Sequence, residues 1–109
     1  MALLTAQQIS VTGTTPSYAA VSASDTIAPD AADNLFLHVK NAGGSADVVT
    51  IVVPGTYLGV AIADITVSVP ATTGDRMIAV PAAAMDPATG LVTVNHSFTT
   101  SVTQGLFRR

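Results

Sequence analysis

The chain has no cysteine and no tryptophan, and every acid in it is aspartate. Without thiols there is neither a disulfide framework nor a thiolate metal site, and the redox compartment leaves no trace. Charged residues are 10% of the 109 positions, against about a quarter in ordinary soluble domains. The net charge is −3, and the only clustered basic residues are Arg108 and Arg109. That distribution lacks the electrostatic footprint of a nucleic-acid binder. No apolar run approaches the ~20 residues needed to span a bilayer as a helix. The start, MALLTAQQIS, lacks the basic opening and longer apolar core of a secretory signal. The expected place of synthesis is therefore the cytosol, with no membrane and no nucleic acid as partner.

Hydrophobic residues make up 49% of the chain, carried by Ala and Val, with aromatics at 5%. Its length suits one domain. So few charges suggest surfaces that meet other protein surfaces.

The pattern along the chain is β throughout. In NLFLHVKN, Leu35, Leu37 and Val39 alternate with Phe36, His38 and Lys40, which puts the two sets on opposite faces of a strand. NAGGS, residues 41–45, reads as a turn with Gly43 and Gly44 at positive φ, making residues 33–55 a β-hairpin. DVVTIVV follows and stops at Pro54. GTYLGVAIAD reads as a loop or bulged link. DITVSVP points Ile65, Val67 and Val69 inward, and ATTGDR is a turn centred on Gly74 and Asp75. RMIAVP is a short strand, Ala82 to Met85 at most one helical turn before Pro87, and LVTVNHSF a strand with Val92, Val94, His96 and Phe98 on one face. TTSVTQGLF is the last strand. Residues 1–16 read as an extended N-terminal arm, and 17–109 as the folded domain. Short strands with turn signals every 8–12 residues predict an all-β fold: a single compact antiparallel β-sandwich or small barrel, jelly-roll or Ig-like.

Little in the chain suits catalysis. The two histidines, His38 and His96, sit in no metal-ligand spacing and read as packed or surface residues. No GxSxG elbow is present. The seven aspartates read as turn and cap residues, and no Asp-x-Asp-x-Asp loop suggests calcium. NAGGSA and GTYLG precede no helix, so neither cradles phosphate. Tyr18 and Tyr57 alone do not make a platform for sugars or bases. The expectation is no enzyme, no cofactor and no metal.

The strings ISVTGTTPSYAAVSASDTIAPDAADNLFLHVKNAGGSADVVTIVVPG and ADITVSVPATTGDRMIAVPAAAMDPATGLVTVNHSF resemble small capsid decoration, or cement, proteins of actinobacterial tailed phages and prophages. The likeness runs from about Ile9 to Phe98, in the DTIAP stretch, the FLHVKN strand with its glycine turn, and PATGLVTV as a closing hairpin. It implies a virion protein on the outer capsid surface, in many copies, bound to the major capsid protein, with a homo-oligomer, a trimer, as the unit. No catalytic residue carries over. A protein that cements joints between capsid subunits needs a rigid core and an arm or tail that orders on docking. The candidate contacts are Leu3, Leu4 and Ile9 in the arm, and Phe107, Arg108 and Arg109 in the terminal GLFRR. Two alternatives stand beside this one: a glycan- or receptor-binding β-sandwich module using Tyr57 and Tyr18, and another virion subunit such as a tail tube or head–tail connector.

Overall fold

The computed structural model describes residues 3–28, 35–81, 84–87 and 89–108, with Tyr57 as backbone only. Among them the fold is nearly all β. The strands are β1 (Leu3–Leu4), β2 (Gln7–Gln8), β3 (Ala19–Ala20), β4 (Ser24–Ile27), β5 (Leu35–Asn41), β6 (Asp47–Ile51), β7 (Thr56–Tyr57), β8 (Val60–Ala61), β9 (Ile65–Val69), β10 (Gly74–Ala79), β11 (Val92–His96) and β12 (Val102–Arg108). One sheet runs β1-β4-β11-β6-β9; the other runs β10-β5-β12-β2, with β3 also paired to β12.

Period-2 alternation builds the longer strands as expected. In β5, Leu35, Leu37 and Val39 are buried while Phe36 and His38 are half-buried and Lys40 is exposed. Val49 and Ile51 of β6, and Val92 and Val94 of β11, are fully buried. One core cluster takes Ile27, Val49, Ile51, Val69, Val92 and Val94 from the first sheet, and Leu35, Leu37, Val39, Ile78, Val102 and Leu106 from the second. Each such side chain contributes roughly 1.5–3 kcal/mol by leaving water.

Several expectations need correction. The sheets are open, so the fold is not a closed barrel. They are also mixed rather than purely antiparallel: β1 lies parallel to β4, and β2 parallel to β12. Residues 33–55 are not a hairpin, because β5 and β6 belong to different sheets. The turn between them is an arch. Asn41 holds it, donating through Nδ2 to the Ser45 carbonyl at 2.8 Å and accepting from the Gly43 amide at 2.9 Å. Gly43 does not have positive φ; it is glycine for lack of room, since a Cβ there would lie 2.4 Å from the Thr100 carbonyl oxygen and 2.5 Å from the Phe98 ring. PATGLVTV closes no hairpin, because its strand β11 lies between β4 and β6. The turn expected at Gly74 and Asp75 falls instead on residues 71–73, with Thr72 at φ 69°, and β10 begins at Gly74. Part of the helical turn expected at 82–85 lies outside the described residues.

The segment read as an arm crosses from one sheet to the other. Leu3 and Leu4 pair with Thr26 and Ile27 at one edge, and Gln7 and Gln8 with Phe107 and Arg108 at the other. Residues 9–18 then cross the outer face of the second sheet.

Candidate functional site

The GLFR stretch at 105–108 is not a tail. Gly105 to Arg108 lie in β12, which is paired along both edges, and Gly105, Leu106 and Phe107 are buried. Phe107, a candidate contact residue, is 5% exposed, stacked on Phe36 at 5.6 Å between ring centroids and edge-on to Tyr18 at 5.8 Å. An aromatic on this face is covered because residues 9–18 pass over it. Arg108 is half-buried beside Leu35 and Gln8, and Arg109 lies outside the described residues. In the other half of the set, Leu3 is 58% exposed, Leu4 packs against the core, and Ile9 is exposed with its amide donating to the Arg108 carbonyl at 2.9 Å.

The outer face of the second sheet gathers side chains that sequence spacing did not connect. The register sets Met77 of β10 and Gly105 of β12 on either side of His38, and Asp75 beside Lys40. Gly105 has to be small: a Cβ there would meet the Ser17 carbonyl oxygen at 2.9 Å and the Phe107 ring at 2.9 Å. That space lets the overlying segment lower Tyr18 onto the sheet. The Tyr18 hydroxyl lies 2.8 Å from His38 Nδ1, and His38 Nε2 bonds to Asp75 Oδ1. Lys40 Nζ stands 4.2 Å from the Tyr18 ring centroid, a cation–π contact. An ionised Asp75 only accepts, so a neutral His38 carries its proton on Nε2 and takes the Tyr18 hydroxyl proton into a bond at Nδ1. Tyr18 and His38 form part of the wall of a cavity of about 260 Å³.

A second polar chain runs through the core. Asp47 Oδ2 lies 2.6 Å from His96 Nδ1, His96 Nε2 lies 3.0 Å from Gln104 Oε1, and Gln104 Nε2 donates to Asp25 Oδ2 at 2.7 Å. Asp25, Asp47 and Gln104 are essentially inaccessible and His96 nearly so. Asp25 and Asp47 therefore depart from the turn role expected of all seven aspartates; they sit in β4 and β6 and face inward. Their carboxylates also accept from the amides of Ser22 at 3.0 Å and Phe98 at 3.2 Å. The chain joins strands of both sheets, and it is fully hydrogen-bonded. A satisfied network of this kind fixes how two faces meet, whereas a broken one is costly. It is closed to any substrate.

The third feature is the segment expected as a loop or bulged link. Residues 56–61 form a two-stranded ribbon, β7 and β8, that pairs with neither large sheet. Its two-residue turn, Leu58–Gly59, has φ of 53° and 80°, the signature of a type I′ turn. Asn or Gly normally occupies the first of these positions; a bulky residue there is an outlier. Leu58 is 88% exposed, Val60 is 69% exposed, and Ile62 is exposed beside them. The side chain of Tyr57, one of the two aromatics of the glycan-binding alternative, lies outside the described residues.

Among the described residues no three His or Asp side chains group to hold a metal ion, and no helix is long and apolar enough to cross a membrane. The chain matches no protein-family model, no curated protein and no solved structure.

Proposed function

We propose that this protein is a structural subunit that works by docking: a decoration protein on the outer surface of a phage capsid, binding the major capsid protein as a homo-oligomer, a trimer at local threefold positions. It carries out no reaction. The observation behind this reading is the Leu58 turn. A leucine with positive φ is strained, and a leucine exposed at a ribbon tip loses apolar burial; folding rewards neither. Both are offset when the tip enters a pocket on a partner. Val60 and Ile62, close by in the chain, are exposed apolar residues as well, and interface cores are built from such side chains. The low charge of the chain supports the same reading.

We also propose that the two sheets stack as an open sandwich of jelly-roll type. Consecutive long strands β4, β5 and β6, and then β9, β10, β11 and β12, alternate between the sheets, which is jelly-roll rather than Ig-like connectivity. The shared core supports the stacking.

The test is binding to particles from the native source after stripping and re-addition. Leu58→Asp is expected to leave the melting temperature within about 2 °C, because an exposed tip contributes little to folding, and to abolish re-binding. Undiminished re-binding by that variant removes the docking role of the ribbon.

A further inference from the structure

The cavity beneath residues 9–18 belongs to neither the docking ribbon nor the buried network. Its apolar walls include Phe36, Met77, Pro16 and Ile9, and its volume is about 260 Å³. An apolar cavity of about 150 Å³ accepts benzene, so this one has room for a single substituted six-membered ring. The polar groups around it are nearly all committed. Thr14 Oγ1 donates to the Gln8 carbonyl at 2.8 Å and accepts from the Ser10 amide at 3.1 Å. Ser10 Oγ donates to the Gly13 carbonyl at 3.1 Å. His38 is engaged at both nitrogens, by Tyr18 and by Asp75. With their protons spent, Ser10 Oγ and Thr14 Oγ1 keep lone pairs only, and the third hydroxyl on the wall is that of Tyr18. On a neutral imidazole with Asp75 accepting at Nε2, the Tyr18 hydroxyl donates to Nδ1, and its oxygen faces a ligand as an acceptor.

We infer that this cavity is a binding site for a phenol-type ring, its face against Phe36 and Met77 and its hydroxyl donating to Tyr18 Oη. A sugar fits the volume but not the chemistry, because most of its hydroxyl protons would face apolar walls. The site stands independently of the docking role of the ribbon.

The experiment is a two-dimensional ¹H–¹⁵N NMR titration of the full chain with phenol, anisole and methyl α-D-glucopyranoside. Phenol is expected to shift the amides of Ser10, Thr14, His38 and Met77 in a saturable way. Anisole lacks the donor and is expected to bind about fivefold more weakly, the worth of one ordinary hydrogen bond. Tyr18→Phe is expected to bring phenol down to the anisole affinity and leave anisole unchanged. The phenol–anisole comparison uses the unaltered protein and stands whether or not that variant folds. The proposal is overturned if phenol produces no localised shifts, if anisole binds as tightly, or if the glucoside shifts the same amides. The same ring occurs free or on a polypeptide. N-acetyltyrosinamide matching phenol assigns the natural ligand to a partner's tyrosine, and its failure to compete assigns it to a free phenol.

Discussion

Gly43 and Gly44 are adjacent in the same turn, yet they answer to different constraints. A Cβ on Gly43 would collide with the Thr100 backbone and the Phe98 ring, whereas one on Gly44 meets nothing within 4 Å. Gly43→Ala is therefore expected to cost about 1–3 kcal/mol through overpacking. Gly44→Ala is expected to be neutral or to stabilise slightly by restricting the unfolded chain. Denaturant titration of the two variants checks the pair. Gln104→Leu tests the buried network in the same way. It removes the partner of His96 Nε2 and one of the hydrogen bonds to Asp25, which keeps the Ser22 amide, and the buried imidazole nitrogen left unsatisfied costs about 1–3 kcal/mol. A loss well under 1 kcal/mol would mean that water or rearrangement replaces Gln104. At this scale the sequence was partly legible. Alternation placed His96 on one face with Val92 and Val94, and that face lies inward. It did not reveal that Asp47 and Gln104, 49 and 8 residues away, would meet it, because those encounters depend on strand register and on which sheet each strand joins. Tyr18, His38 and Asp75 were hidden for the same reason: their spacings of 20 and 37 residues carry no local signal.

Strands were easier to read than their pairing. Alternation in β5, β6, β9 and β11 depends only on which face meets the core, and each of these runs was visible as such. Partner choice depends on the connections, and here the rule that a short Gly-rich turn closes a hairpin failed. The Asn41–Ser45 turn arches across the core because Phe98 packs against Gly43 and Asn41 ties β5 to the Val69 carbonyl. The strand β9 shows how burial grades along one element. Val69 is fully buried at its end, while Val67 is half-buried beside Val49. Val69→Asp is expected to unfold the domain, since an unpaired charge has no place in that core. Val67→Asp is expected to destabilise it by less. The order of the two melting temperatures, or of soluble yields, is the check. The ribbon at 56–61 was read as irregular because Leu at a positive-φ turn position is not a turn signal; the residue that hid the ribbon is also the one that points to its use.

At the scale of the molecule, the fold is two mixed sheets on one core, with residues 3–8 spanning both edges and an apolar ribbon outside them. A rigid body with a projecting contact element suits a subunit that adds to a larger surface. Deleting residues 1–8 is expected to leave the core strands folded, because β1 and β2 contribute short pairings only at Leu3–Leu4 and Gln7–Gln8. It exposes the edges of β4 and β12, so a rise in self-association is the expected cost, measurable by sedimentation velocity. The most direct test of the structural role is electron cryomicroscopy of particles that co-purify with the protein from its native source. The account predicts a small β domain repeated over an icosahedral shell, with the Leu58 ribbon against the capsid subunits. Protein found only free in the soluble fraction, with no particle carrying it, would contradict the account.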